Sequence, residues 1–193
     1  KQKRQRTIDL LEELKQSIFI DMFGDPLTNS NALHTKKLED FGTIDRGKSK
    51  HRPRNDPRLL NGSHPLIQTG DVSRAQDYIK SFSSTYSDFG LAQSKKWSAG
   101  TLCITIAANI ADTAILKFDS CFPDSIVGFT GTSSAITLYI HHWFKLVRES
   151  IDAVAPASAQ KNINLRILRE LNVIFPENSE IEVFENRINS VDR

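Results

Sequence analysis

Six basic side chains fall in the short segment from Arg46 to Arg58: Arg46, Lys48, Lys50, Arg52, Arg54 and Arg58, set against one acid, Asp56, with His51 among them. Pro53 and Pro57 keep such a segment extended and Gly47 frees its start, so the charges can spread along a phosphate backbone. The competing reading is an ordinary solvated charge run. Three polar segments carry side chains able to read base edges. Gln68, Thr69, Ser73 and Arg74 follow a short apolar run, Asn109 and Thr113 lie between two apolar runs, and Gln160, Lys161 and Asn162 precede Leu165. Each is weak alone. Together, on the strand ends of one small module, they make a candidate surface for reading duplex DNA.

Other chemistry is spelled in fragments that lack their context. Asp88-Phe89-Gly90 matches a kinase tripeptide, but neither a Gly-rich phosphate loop nor a catalytic HRD-type loop precedes it, so the stretch reads as a turn. Asp112, Asp119 and Asp124 are the acids a nuclease would need, yet no Glu-x-Lys follows Asp124. His141 and His142 are adjacent and so point apart on a helix or a strand, which favours a structural role over a chelating pair. No Asn-Pro-Pro-Tyr-like tetrapeptide for holding a flipped base is present, and no Walker-type loop. The expectation is a chain without catalytic residues, metal or cofactor.

The elements that must position these residues follow from patterning. A hydrophobic share of 39% is somewhat low for a fully globular chain of 193 residues, so part of the chain is expected to spend its apolar residues on narrow helical seams. A net charge of +2 does not itself announce a nucleic-acid binder, so any such claim rests on distribution. No apolar run approaches the roughly 20 residues that span a bilayer, and the chain is expected in the cytoplasm. Cys103 and Cys121 lack metal-ligand spacing and are expected as buried free thiols.

Ile8, Leu11, Ile18 and Met22 mark a helical stripe running to about Phe23. Gly24 and Pro26 stop it, Gly24 by taking the left-handed conformation and Pro26 by refusing to continue. Because Lys1 already sits within this helical pattern, the sequence is expected to be a piece of a longer protein. At the other end Ile181, Phe184, Ile188 and Val191 keep a 3-4-3 spacing, a coiled-coil-like seam. The two stripes are expected to pair antiparallel as a stalk, through Leu11, Ile18 and Met22 against Ile181, Phe184 and Ile188. The bland alternative is that both helices cap the core.

Between them, Pro65–Gln68, Tyr78–Ser81, Thr101–Ala107, Ala114–Phe118, Ile136–Ile140 and Val173–Phe175 read as short strands, punctuated by glycines. His142–Ala153 and Leu165–Leu171 read as helices. The fold class is therefore α+β, with a mixed or barrel-like sheet and short helices between terminal helices. The boundaries are set at 1–25, 26–176 and 177–193.

The order of these segments resembles the specificity subunit of type I restriction-modification systems. The resemblance is carried by Leu14–Pro26, Leu38-Glu39-Asp40 with Gly47, and Pro65–Val72, then by Gly100–Leu116 and Phe122-Pro123-Asp124-Ser125-Ile126-Val127-Gly128-Phe129. Gln160–Leu171 and Val173–Pro176 close the series, so nearly the whole chain is covered. One departure is that Glu177-Asn178 stands where the family often has a Glu-Gln pair. The resemblance implies one target recognition domain with its spacer helices, from the C-terminal half of a subunit or from a half-length subunit that dimerises. It implies double-stranded DNA as ligand, with methyltransferase (modification) subunits, a translocase/nuclease (restriction) subunit and a second recognition domain as partners. S-adenosylmethionine would then belong to the modification subunit. The alternative is the recognition portion of a fused restriction-methyltransferase enzyme.

Overall fold

The first helix, α1 (Gln2–Phe23), ends where the sequence demands: Gly24 adopts φ +79° and its N–H returns to the carbonyl of Ile20 at 2.8 Å. This computed structural model describes residues 2–107, 109–154 and 163–192. Gln160, Lys161 and Asn162 lie outside the described residues.

The face that α1 buries is not the stripe expected from its leucines. Phe19 and Phe23 are fully buried and Lys15 is nearly so, while Leu11 is 37% exposed and Leu10 and Leu14 more so. Ile18 and Met22 pack at the margin of the core. The seam is turned because α1 faces two helices at once, and its bulkiest side chains serve the junction. One partner is α6 (Asn178–Val191), whose Ile181, Phe184 and Ile188 are all buried as expected. The other is α4 (Ser134–Val154). Phe19 stacks on Tyr139 of α4 at 5.3 Å and meets Phe184 edge-on at 5.6 Å. Ion pairs run from Lys15 to Asp192 at 2.5 Å and from Asp21 to Arg187 at 3.7 Å, so α1 and α6 are antiparallel. Together with α4 they form a helical layer continuous with the main core, so in this stretch the pair is part of the packed domain and not a detached stalk.

A central sheet of five strands has the order β2 (Gly42–Arg46), β10 (Ile126–Gly131), β7 (Leu102–Thr105), β8 (Thr113–Leu116) and β4 (Tyr78–Ile79). Only the β4–β8 pair is parallel, which makes the sheet mixed. Its strands bury both faces by strict alternation. Leu102, Ile104, Ile115, Val127 and Phe129 belong to the helical core, whereas Cys103, Ala114, Leu116 and Ile126 join Ile67, Val72, Trp97 and Phe122 on the other side. Gly128 is required there, since a Cβ would lie 2.5 Å from the Trp97 ring.

A second sheet has the order β5 (Ser84–Tyr86), β3 (Leu60–Leu66), β9 (Ser120–Cys121) and β6 (Lys96–Trp97). A two-stranded ribbon pairs β1 (Thr35–Lys37) with β11 (Asn172–Ile174) between the two helical ends. The fold is α+β as expected, and among the described residues its sheets are open, with no closed barrel. Cys103 and Cys121 are buried free thiols.

Three local expectations change. Ile136–Ile140, expected as a strand, lies in the first two turns of α4. Ser133 accepts from the Ile136 N–H at 3.2 Å, and Ala135–Phe144 is buried without interruption. Complete burial overrides the β-branched preference of that run. Gln68–Arg74 is no open loop, because Thr69–Arg74 forms a short helix, α2. Asp88–Ala92 is likewise a helical turn, α3, capped by Ser87 accepting from the Gly90 N–H at 3.1 Å. Two further short elements are 3-10 turns at Leu38–Asp40 and Pro57–Leu59, and α5 (Leu165–Arg169) precedes β11.

Candidate nucleic-acid interface

Strand pairing brings the candidate segments to one end of the central sheet. Arg46, the last residue of β2, pairs with Val127 at the start of β10. Ile126 pairs with Thr105 at the end of β7, and Ile104 with Thr113 at the start of β8. Because β4 runs parallel to β8, the helix α2 that leads into β4 lies at that same end. The basic loop, the turn before β10, the segment between β7 and β8 and α2 therefore share one rim.

Two of the reading candidates touch. The Asn109 side-chain amide donates to the Ser73 hydroxyl at 3.0 Å, joining the β7–β8 segment to α2. Thr105 holds the base of that segment, its hydroxyl donating to the Asn109 carbonyl and accepting from the Asp112 N–H at 3.1 Å. Ser73 also donates to the Thr69 carbonyl at 3.1 Å, which fixes the α2 turn. Gln68 is exposed. Arg74 is exposed too, but is paired to Asp71 at 2.7 Å. Ile163 donates its N–H to the Ile106 carbonyl at 3.1 Å and so reaches the same rim.

The basic loop is anchored, not free. Its start is pinned by the Gly47 N–H to the Ile126 carbonyl at 2.9 Å, and a Cβ on Gly47 would collide with Pro123 O at 2.3 Å. Its middle rests on the segment after α3, through Lys50 N–H to the Gln93 carbonyl at 3.1 Å and Ser94 Oγ to the Lys48 carbonyl at 3.0 Å. Phe89 meets the His51 ring edge-on, and the Arg58 guanidinium lies over the Phe89 ring. Asp56 pairs with both His51 and Arg58. Hydrogen bonds from the Arg58 side chain, then from its backbone, hold the Asp56 carboxyl far below the usual range. Lys48 and Lys50 are exposed.

Asp124, in the turn before β10, was not legible as part of this loop. Arg54 binds one of its carboxylate oxygens, Arg52 approaches the other at 3.4 Å, and the Arg46 Nε–H reaches its backbone carbonyl. A separation of some seventy residues leaves no sequence signal for that contact. Lys95 was also missed; it pairs with Asp45 at 3.0 Å beside the loop's start.

The family model described as type I restriction modification DNA specificity domain matches residues 32–188. The chain belongs to this family. Among solved structures, it is similar to the HsdS subunit from Thermoanaerobacter tengcongensis, with a TM-score of 0.69 and 14% identity over 99% of this chain and 45% of that one. The type I restriction-modification S subunit from M. genitalium gives 0.61 and 9% identity over 97% and 50%. The type IIG restriction endonuclease BpuSI gives 0.60 and 10% identity over 93% of this chain and 28% of that chain. At these identities the likeness shows the fold, and the chain spans about half the length of the two S subunits. No curated protein sequence matches it.

One predicted reading residue of this specificity domain is misplaced. Thr113 is buried, and its hydroxyl bonds His141 Nδ1 at 2.9 Å, so it faces inward to the core. His141 Nε2 in turn meets Asp77 at 3.0 Å, and Asp77 also pairs with Lys15 and with Lys145 at 2.5 Å. Both lysines reach further acids, Glu12 and Asp192. Burial would raise the Asp77 carboxyl, but the His141 hydrogen bond and the Lys145 charge hold it well below the usual range. The Asp77 carboxylate can only accept, so His141 Nε2–H donates to it. Burial lowers both His141, against the pull of Asp77, and His142, which favours their neutral forms, and in that form the Thr113 hydroxyl donates to His141 Nδ1. Asp77, His141 and His142 bring ligand-type atoms within 4.8 Å of one another. Two ammonium groups already occupy the carboxylate, and a dication there would meet their repulsion. The arrangement ties α1, α4, α6, β8 and the approach to β4 together.

Proposed function

We propose that this specificity domain binds double-stranded DNA at the rim of its central sheet and carries no catalytic residue itself. The observation that supports this is topological. Segments with no sequence proximity, the basic loop and the Ser73–Asn109 patch, emerge from one end of one sheet. Arg46, Lys48, Lys50, Arg52, Arg54 and Arg58 would meet phosphates, while Gln68, Thr69, Ser73, Arg74 and Asn109, with Gln160, Lys161 and Asn162, would lie toward bases.

In a type I complex the domain would direct methylation and cleavage by modification and restriction subunits, in the cytoplasm. Residues 1–25 and 177–193 would serve as spacer helices flanking a recognition domain at 26–176, with a second recognition domain reading the other half of a split target. S-adenosylmethionine would be held by the modification subunits. A fused restriction-methyltransferase would use the same rim and differ only in what adjoins it. Among the described residues no helix is long and apolar enough to cross a membrane.

The test is the double variant Arg52→Gln/Arg54→Gln in the assembled complex. It should weaken binding to the duplexes that the complex selects and flatten their salt dependence by roughly one unit of log–log slope per lost contact. An unchanged slope removes the loop from the interface.

A further inference from the structure

Building on the reading that the basic loop meets phosphates, we infer that Asp124 is an internal stand-in for a phosphate group. It occupies Arg52 and Arg54 while the rim carries no target, and so widens the margin between target and non-target DNA. Two guanidinium groups converge on the two oxygens of one carboxylate, the disposition that a backbone phosphate would offer them. The acid is the fixed member. Its turn is held by the Ile126 N–H to the Pro123 carbonyl and the Ile106 N–H to the Ser125 carbonyl, both at 3.1 Å, while the Gly47 N–H grips Ile126 at 2.9 Å.

The arginines are the movable members. Arg52 and Arg54 are about half exposed, with side chains at 53% and 48%, against 28% for Asp124. Arg52 also folds its Nη1 back onto the carbonyls of Ser49 and His51, which turns it into its own loop.

The consequence follows from counting free charge at the rim. With Arg58 on Asp56, and Arg52 and Arg54 on Asp124, the exposed lysines Lys48 and Lys50, with Arg46 resting on a backbone carbonyl, are left to meet a passing duplex. Non-target DNA, which gains nothing from the Ser73–Asn109 patch, is held by few cations. A target seated on that patch brings its phosphates up to the arginines and displaces the carboxylate. Repulsion built against the wrong ligand thereby adds to attraction for the right one.

The experiment compares Asp124→Asn, which keeps shape and removes charge, with the unaltered assembled complex. Affinities for a random-sequence duplex and for duplexes selected by the complex are measured across a salt series. Asp124→Asn should raise random-duplex affinity by about tenfold and steepen its salt slope by one to two units. Target affinity should change less, so the ratio between them falls. Asp124→Ser should do the same, and neither variant should have any effect in the Arg52→Gln/Arg54→Gln background.

Weaker binding to both duplexes would make Asp124 a support for the arginines and overturn the inference while leaving the loop in the interface. So would an unchanged random-duplex slope in Asp124→Asn, where the arginine double variant still flattens the target slope. An arginine double variant with the normal slope on target duplexes would overturn the loop assignment itself, and the inference with it.

Discussion

Asp77 and Asp124 each gather several cations around one carboxylate, and they differ chiefly in where the fold puts them. Asp77 is 4% exposed, enclosed by Lys15 from α1, His141 and Lys145 from α4, and the wall of the sheet. Asp124 sits on the rim with arginine partners half in water. Similar chemistry in the two places has opposite consequences. In the core, desolvated charges must keep their partners because nothing can replace them, so the cluster locks elements together. At the rim, water and salt weaken each pair, so partners can be exchanged for a ligand's. Lysine and histidine suffice for the lock, whereas arginine at the rim offers a planar fork that fits carboxylate and phosphate alike.

The largest effect that would break the comparison is on Asp77. Asp77→Ala removes the most buried acid from two ammonium groups and from His141, leaving the lysines only Glu12 and Asp192. It should cost up to about 3–5 kcal/mol of folding stability, read from urea unfolding. A loss under about 1 kcal/mol would place Asp77 in the surface class. Adding Lys15→Met to that variant should recover part of the loss, because it removes one buried charge that has lost its most buried partner.

The buried histidines of the same cluster should give the domain's stability a pH dependence. Burial depresses His141 and His142, so the neutral forms are favoured in the folded state. Their contribution is fully present above the unfolded value of about 6.5 and is lost as pH falls below it, since the unfolded chain then binds the protons. Asp77, held low, adds a further loss once pH drops below about 4. Urea midpoints measured from neutral to acid pH should fall in that order. Replacing both histidines by Leu should flatten the upper step, and a persistent step would move its origin elsewhere.

The contrast also explains what could be read from the sequence. Local devices were legible: the Gly24 stop, the seam of Ile181, Phe184 and Ile188, the basic run, and the alternating strands around residues 102–105 and 113–116. Both carboxylate clusters were invisible, because Asp77 to His141 and Asp124 to Arg54 are contacts between residues 64 and 70 positions apart. Thr113 misled for the same reason, since a polar residue at a strand start looks like a reading residue until its inward partner is known. Leu11 misled through periodicity, which gives the spacing of an apolar face but not which neighbouring helix claims it. At Ile136–Ile140 residue preference lost to the burial of a whole helix surface.

A smaller effect comes from His142, whose two ring nitrogens have no hydrogen-bond partner among the described residues and whose ring meets Phe184 edge-on at 5.5 Å. An unpaired buried polar group is unfavourable, so His142→Leu should be neutral or stabilise by up to about 1 kcal/mol, seen as a raised thermal midpoint. A marked loss would mean that the ring holds a partner within the lock around Asp77.

The smallest expected effect on stability tests the other half of the comparison. Asp124→Asn removes the acceptor charge from two arginines that are already half solvated. Exposed pairs of this kind contribute about 0–1 kcal/mol, so the variant should unfold within about 0.5 kcal/mol of the unaltered chain. The turn itself should hold, because the backbone bonds of Gly47, Ile106 and Ile126 do not involve the carboxylate. Amide exchange at those three residues should therefore stay slow in the variant. A substitution that leaves stability alone yet changes the salt slope of DNA binding is one that acts on a ligand, whereas Asp77→Ala should act on the fold. A stability loss at Asp124 of 2 kcal/mol or more would erase that distinction and make both clusters structural.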